Sequence, residues 1–230
     1  MITLAVDTAT KTASVALLEG TTILGESFLN IGKNHGETLL PEIMALMSRN
    51  SITIDEIDLF AVTLGPGSFT GLRIGASTVK GLAFTVGKPV EGVCTLEALA
   101  LNVSDISMMI CPMLDARKKE VYTALYKPAG DHFPEKIVDE TVSDPEHFVK
   151  NIRENVMFLG DGALLYRDVI REILPDKSYF ASDHLNYIRA SSVGLIGLKK
   201  FYDGDTLNLL TFTPQYLRVS EAEANRLSKK

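Results

Sequence analysis

The residues best suited to chemistry are the loop Gly65-Pro66-Gly67-Ser68-Phe69-Thr70-Gly71 and two aspartates, Asp7 and Asp115, each ending an apolar run. A loop that opens a helix presents backbone N–H groups to an anion, and a carboxylate beside it could hold magnesium. Neither nucleotide fingerprint is met. Gly71 is followed by Leu72 and Arg73, where a P-loop needs lysine and a hydroxyl. Gly65, Gly67 and Gly71 are spaced one residue too long for the dinucleotide pattern. Helix initiation accounts for the same residues, with Pro66 and Gly67 as the turn and Ser68 or Thr70 as the cap. Asp7 leads into Thr8-Ala9-Thr10, without the glycine that lets N–H groups close on a phosphate. Asp115 leads into the bulky Ala116-Arg117-Lys118-Lys119. Leu159-Gly160-Asp161-Gly162 reads either as a nucleotide-side turn or as a plain strand-to-helix connection. Asp7, Thr8, Ser68, Asp115, Arg117 and Gly160 are thus the candidate nucleotide set, and a small ATPase or kinase built on them is the alternative function.

Other chemistries lack a residue set. His35, His132, His147 and His184 are scattered, with no H-E-x-x-H. His35-Gly36-Glu37 has the H-x-E of zinc deaminases but not their P-C-x-x-C, since Cys111 precedes Pro112. Glu37 instead suits the positive end of a helix. No serine lies in G-x-S-x-G. Cys94 and Cys111 are isolated thiols, as in a reducing compartment. A formal net charge of −6 opposes solitary RNA binding. The basic stretches Lys199–Lys200 and Arg226–Lys230 read as a solvated helix face and a tail. No apolar run reaches the roughly 18–20 residues of a membrane span, and the N-terminus reads as a core strand rather than a basic leader. A cytoplasmic protein is expected.

The elements that must position these residues form a pattern that occurs twice. Strands are expected over Ile2–Ala9, Ala13–Glu19 and Thr21–Leu29, then helix Gly36–Arg49, strand Leu59–Leu64, helix Thr70–Phe84, strand Pro89–Val93 and helix Leu96–Val103. The second series is Met108–Ala116, Glu120–Lys127 and Glu135–Val142, helix Pro145–Asn155, strand Val156–Leu159, helix Ala163–Leu174, strand Ser178–Ala181 and helix Ser191–Tyr202. The repeat is one of topology, not of residues. It predicts an α/β chain with mixed sheets and a duplicated actin-like or ribonuclease-H-like architecture, with a ligand cleft between lobes. The lobes are expected at residues 1–103 and 104–230, the last segment packing back on the first lobe.

Two helices of the first lobe have unusual faces. Gly71, Gly75 and Gly81 each cost about 1 kcal/mol against alanine in a helix interior. Gly71 and Gly75, with Ala76, Thr78 and Ala83, leave a nearly flat face that suits close approach by a sheet, a ligand or another chain. The preceding helix carries Leu39, Leu40, Ile43, Met44, Leu46 and Met47, more than one apolar stripe. The surplus would serve a partner or a wholly buried helix.

Five blocks carry a family resemblance: AVDTATKTASVAL (Ala5–Leu17), NHGETLLPEI (Asn34–Ile43), GPGSFTGLRIG (Gly65–Gly75), LDARKKEVYTALY (Leu114–Tyr126) and TPQYLR (Thr213–Arg218). In this order, over nearly the whole chain, they resemble the bacterial TsaB (YeaZ) family. The resemblance implies an actin-like (ASKHA) fold and a part in making threonylcarbamoyladenosine in tRNAs that read ANN codons. It implies a non-catalytic subunit beside a TsaD-like paralogue, which carries the catalytic site, and a TsaE-like ATPase. It implies a contact surface on the first two helices, used for the paralogue or for a homodimer, here Leu39, Ile43, Met44, Met47, Gly71, Gly75, Thr78 and Leu82. No cofactor of its own is implied, only ATP or ADP with magnesium at the complex, and tRNA is met only through that complex.

Overall fold

A computed structural model describes residues 1–218 apart from Lys33, Asp205 and Leu210; the basic stretch Arg226–Lys230 lies outside the described residues. Three apolar runs separated by tight turns form an antiparallel meander of β1 (Ile2–Asp7), β2 (Ala13–Glu19) and β3 (Thr22–Leu29), with Ala5 opposite Ala16. Two further strands, β4 (Leu59–Gly65) and β5 (Val90–Cys94), add in parallel to β1, so the first sheet runs β3-β2-β1-β4-β5. The second sheet repeats the plan. It is built from β6 (Met109–Asp115), β7 (Val121–Lys127), β8 (Glu135–Ser143), β9 (Val156–Leu159) and β10 (Ser178–Phe180), in the order β10-β9-β6-β7-β8. The interior strand β4 is buried throughout, which matches its mostly apolar sequence, broken by Thr63, and its parallel neighbours on both sides.

Helices α1 (His35–Arg49) and α2 (Phe69–Val86) cover the outer face of the first sheet. Leu39, Ile43, Leu46 and Met47 of α1 join Val62 of β4 and Val79 of α2 in one core. Helix α3 (Thr95–Leu101) lies between the sheets, contacting β4 and β5 of the first and β6 and β7 of the second. Around that sheet lie α4 (Pro145–Val149), α5 (Asp161–Leu165) and α6 (Arg167–Ile173). Two boundaries differ from the sequence reading. Capped by Asp144, α4 stops at Val149 rather than Asn155, because Ile152 turns back into the core that Val149 fills. The helix expected over residues 163–174 is two helices, since Tyr166 leaves helical geometry at φ −107°.

The last helix, α7 (Ala190–Asp203), returns to the first sheet and packs on β1, β2, β4 and β5. It reaches the sheet through glycines. A Cβ at Gly197 would stand 2.6 Å from Cβ of Ala61, and one at Gly194 would collide with Leu18. Opposite them the sheet offers Ala5, Ala16 and Ala61, all buried. The resulting core joins both lobes. It contains Val193 and Ile196 of α7, Leu96 and Leu99 of α3, and Ile110, Leu114 and Tyr126 of the second sheet. Full burial of such an aliphatic side chain is worth about 1.5–3 kcal/mol.

Polar contacts fix the start of α7. Its N-cap, Arg189, makes no side-chain cap, and Glu26 of β3 takes over that task. Glu26 Oε1 accepts from the Ser191 N–H (3.1 Å) and Oγ (3.1 Å), while Oε2 accepts from Arg189 Nη2 (2.6 Å). A carboxylate at a helix N-terminus also meets the favourable end of the dipole.

The two kinds of helical glycine predict opposite effects of alanine. Gly197→Ala should lower stability by about 1–2 kcal/mol, overpacking against Ala61 outweighing the gain in helix propensity. Gly81→Ala, with nothing within 4 Å of the added Cβ, should raise it by about 0.5–1 kcal/mol. Urea denaturation midpoints of the two variants check both signs.

Candidate functional site

The first aspartate does not reach the cleft. β1 carries Asp7 to its end, where the carboxyl is completely buried. Oδ1 accepts from Thr63 Oγ1 (2.7 Å) and from the Ala9 N–H (3.1 Å), and Oδ2 is buried without a hydrogen-bond partner among the described residues. Burial pushes its pKa up to about 7, against the opposing pull of those two bonds. This corrects the place of Asp7 in the candidate nucleotide set: the carboxyl is held inside the fold by Thr63 and the Ala9 N–H and does not line the cleft.

Thr8 explains the glycines of α2. A Cβ at Gly71 would collide with the Thr8 carbonyl, and one at Gly75 with the Thr8 hydroxyl. That hydroxyl donates to the Gly71 carbonyl (2.7 Å). The flat face of α2 is therefore filled by this chain's own first turn, which corrects its assignment to a partner. Leu39, Ile43 and Met47 are likewise inside the first-lobe core. Their positions followed the helical stripe, and the stripe faces the sheet. Of the residues expected at a partner, Met44 is exposed, while Thr78 and Leu82 are partly buried. The structure adds Leu40 and Phe84 to the exposed apolar surface of these helices.

Between the lobes lies a cleft of about 1140 Å³. Its first wall is the turn Ala9–Lys11, the start of α1 and the loop Pro66–Gly71; its second is Leu114–Lys118 with Asp161. Ser68 stands at the rim and is tied into the start of α2. Its N–H donates to the Ala9 carbonyl (2.7 Å), and its hydroxyl accepts from the Gly71 N–H (3.2 Å) as the cap of α2. His35 Nε2 donates to the Thr10 carbonyl (2.8 Å), closing the same turn. Asp115 is tied to its own hairpin: Oδ1 accepts from the Arg117 N–H (2.8 Å), and Oδ2 pairs with the Arg117 guanidinium at 3.4 Å. The Asp115 N–H donates to Asp161 (3.0 Å). Gly160 is not part of the cleft lining. At φ 101°, it lets the chain pass the Met113 carbonyl, and its N–H donates to Asn186 (2.9 Å).

Of the candidate nucleotide set, Ser68, Asp115 and Arg117 line the cleft and Asp7, Thr8 and Gly160 do not. Asp7 and Thr8 are buried, Asp115 is paired with Arg117 of its own hairpin, and the Gly71 N–H is given to the cap of its own helix. Among the described residues no group of three or more His, Cys, Asp or Glu side chains is placed to hold a metal ion. No described helix is long and apolar enough to cross a membrane.

Spacing rules did not reveal a cluster at the cleft mouth. The Arg73 guanidinium lies 3.8 Å from the Phe69 ring centroid, and its Nε donates to the Tyr216 hydroxyl (3.0 Å). The rings of Phe69 and Tyr216 are 4.5 Å apart. The only signal for it was the late block TPQYLR, which nothing local ties to residue 69.

Two sheets of one strand order, flanking a cleft and sharing a helical layer, define an actin-like α/β protein. The family model described as "TsaD: tRNA N6-adenosine threonylcarbamoyltransferase" matches residues 22–226. The chain is 31% identical over 226 residues to the tRNA threonylcarbamoyladenosine biosynthesis protein TsaB of Bacillus subtilis, covering 97% of each. It is 35% identical to the protein of the same name in Escherichia coli, covering 95% of each. YeaZ from Pseudomonas aeruginosa superposes with a TM-score of 0.79 at 26% identity, over 94% of this chain and 99% of that one. This chain belongs to the TsaB (YeaZ) family.

Asp7 predicts a pH dependence. The folded state keeps its proton to about pH 7, whereas the ordinary carboxyl value is 3.8. Between these values the folded chain binds the extra proton, so Asp7 makes stability fall as pH rises through that window. Asp7→Asn has no such proton. Its denaturation midpoint relative to the parent should therefore rise between about pH 4 and about pH 7.5.

Proposed function

We propose that this chain is a non-catalytic subunit in the synthesis of threonylcarbamoyladenosine in ANN-reading tRNAs, binding and supporting a TsaD-like paralogue together with a TsaE-like ATPase. The observation that carries the tRNA role is the near full-length identity to proteins named for that synthesis. The scaffold role draws support from the two strand-end carboxylates, Asp7 being buried beneath the cleft and Asp115 tied to its own hairpin. The paralogue supplies the transfer chemistry, ATP or ADP with magnesium sits at the assembly rather than on this chain, and tRNA is met through the complex. Such a protein works in the cytoplasm.

The partner surface is the exposed strip of α1 and α2. Leu40 and Met44, 46% and 56% exposed, stand one helical turn apart, and Phe84 is 66% exposed near the end of α2. Apolar groups at this exposure gain from a partner that removes them from water. A second copy would use the same strip, so homodimer and heteromer would compete for it.

The double variant Leu40→Lys, Met44→Lys should fold normally, since both side chains project to solvent, and should bind the TsaD-like partner at least tenfold more weakly in a titration. Unchanged affinity would remove this surface from the proposal. Reconstituted tRNA modification, omitting each component in turn, should require this chain. Titration calorimetry of the isolated chain with ATP and magnesium should show no tight site, and tight binding lost in Asp115→Ala would establish the ATPase reading instead.

A further inference from the structure

The segment after α7 does not simply leave the molecule. It crosses from one lobe to the other, and it meets each at a defined place. On the first lobe the Gln215 N–H donates to the Leu64 carbonyl (2.7 Å), and its own carbonyl lies against Gly65 so closely that no Cβ would fit there. The next residue, Tyr216, packs on Phe69 and accepts from Arg73. On the second lobe Arg218 Nη1 donates to the Ala116 carbonyl (2.9 Å), and the same guanidinium pairs with Glu120.

The contacts of Arg218 fall on an unusual piece of backbone. Arg117, Lys118 and Lys119 are consecutive residues at φ 63°, 54° and 62°, a left-handed conformation that side chains with a Cβ rarely take. Such conformations persist where the surroundings hold them. The hairpin has two internal bonds, Ala116 N–H to the Glu120 carbonyl (2.9 Å) and Glu120 N–H to the Arg117 carbonyl (3.0 Å). Arg218 joins the two ends of this short loop, grasping Ala116 and Glu120 at once. Residues Gln215 and Leu217 also line both the main cleft and a second cavity of about 330 Å³ beside Cys94 and Glu97. The segment is thus the partition between the two spaces.

We propose that residues 215–218 form a latch between the lobes: Tyr216 anchors it on α2, and Arg218 holds the left-handed hairpin 116–120 against the cleft. Release of Arg218 frees the hairpin, parts the lobes on that side and joins the cleft to the smaller cavity. The latch belongs to the chain by itself, so its failure would leave the tRNA role untouched.

Hydrogen exchange on the full chain tests it. In Arg218→Ala the amides of Ala116 and Glu120 should exchange at least tenfold faster, while amides of β1 and β4 keep their rates. Glu120→Gln, which removes the ion pair from the hairpin side, should accelerate the same two amides, and it carries the test if Arg218→Ala disturbs the core. Tyr216→Ala should accelerate the Gln215 amide likewise. Acceleration below threefold at Ala116 and Glu120 in the variants that keep their core protection would overturn the latch.

Discussion

The close seat of α7 on the first sheet is the contact on which the rest of the molecule depends. Gly194 and Gly197 let the helix backbone approach Leu18 and Ala61, and interiors at crystal-like density do not absorb an added methyl without displacement. That approach puts Val193 and Ile196 into the core with α3 and the second sheet. Each sheet keeps a core of its own under its outer helices, but because α7 comes from the second half of the chain and lies on the first sheet, the inner faces share a third core. Two lobes are described by their strands, but they are stabilised jointly. Glu26 reinforces the arrangement by capping a helix that is some 160 residues away in sequence, as its contact with Ser191 shows.

A cleft bounded by such a shared core is held in place from below, and its upper rim is tied by short polar bonds. Those bonds decide what its residues can do. A hydroxyl that caps a helix, or a carboxylate that accepts from its own hairpin, is oriented by that bond and commits part of its hydrogen-bonding capacity to the fold. Ser68 and Asp115 are in that position, and Asp7 is removed from solvent altogether. On α1 and α2 the apolar side chains left outside the core include Leu40, Met44 and Phe84.

Much of the architecture was legible because period and punctuation agree. The alternation of β1–β3, the Ser68 cap and the Asp144 cap each follow from local chemistry. The duplicated order then indicated the fold class. The site was less legible, for a physical reason. Glycines at i and i+4 show that something approaches α2 closely, but not what, and Thr8 lies over 60 residues away. Leu39, Ile43 and Met47 mark the inward stripe of α1 just as surely as a contact face, and only the sheet beneath them distinguishes the two. Gly194 and Gly197 of α7 carry the same signal, and nothing local to them names Leu18 and Ala61 as what they meet. The pairing of Tyr216 with Phe69 depends on the path of an irregular segment, which no periodicity encodes.

The central claim is that this chain supports a reaction whose chemistry lies in another subunit. The most direct measurement is threonylcarbamoyl transfer to tRNA by the reconstituted assembly, with Asp115→Asn and Arg117→Ala introduced together into this chain. Transfer at close to the unaltered rate, with the assembly intact, is the predicted result. A loss of a hundredfold or more in an assembly that still forms would place catalytic groups in this cleft and contradict the account.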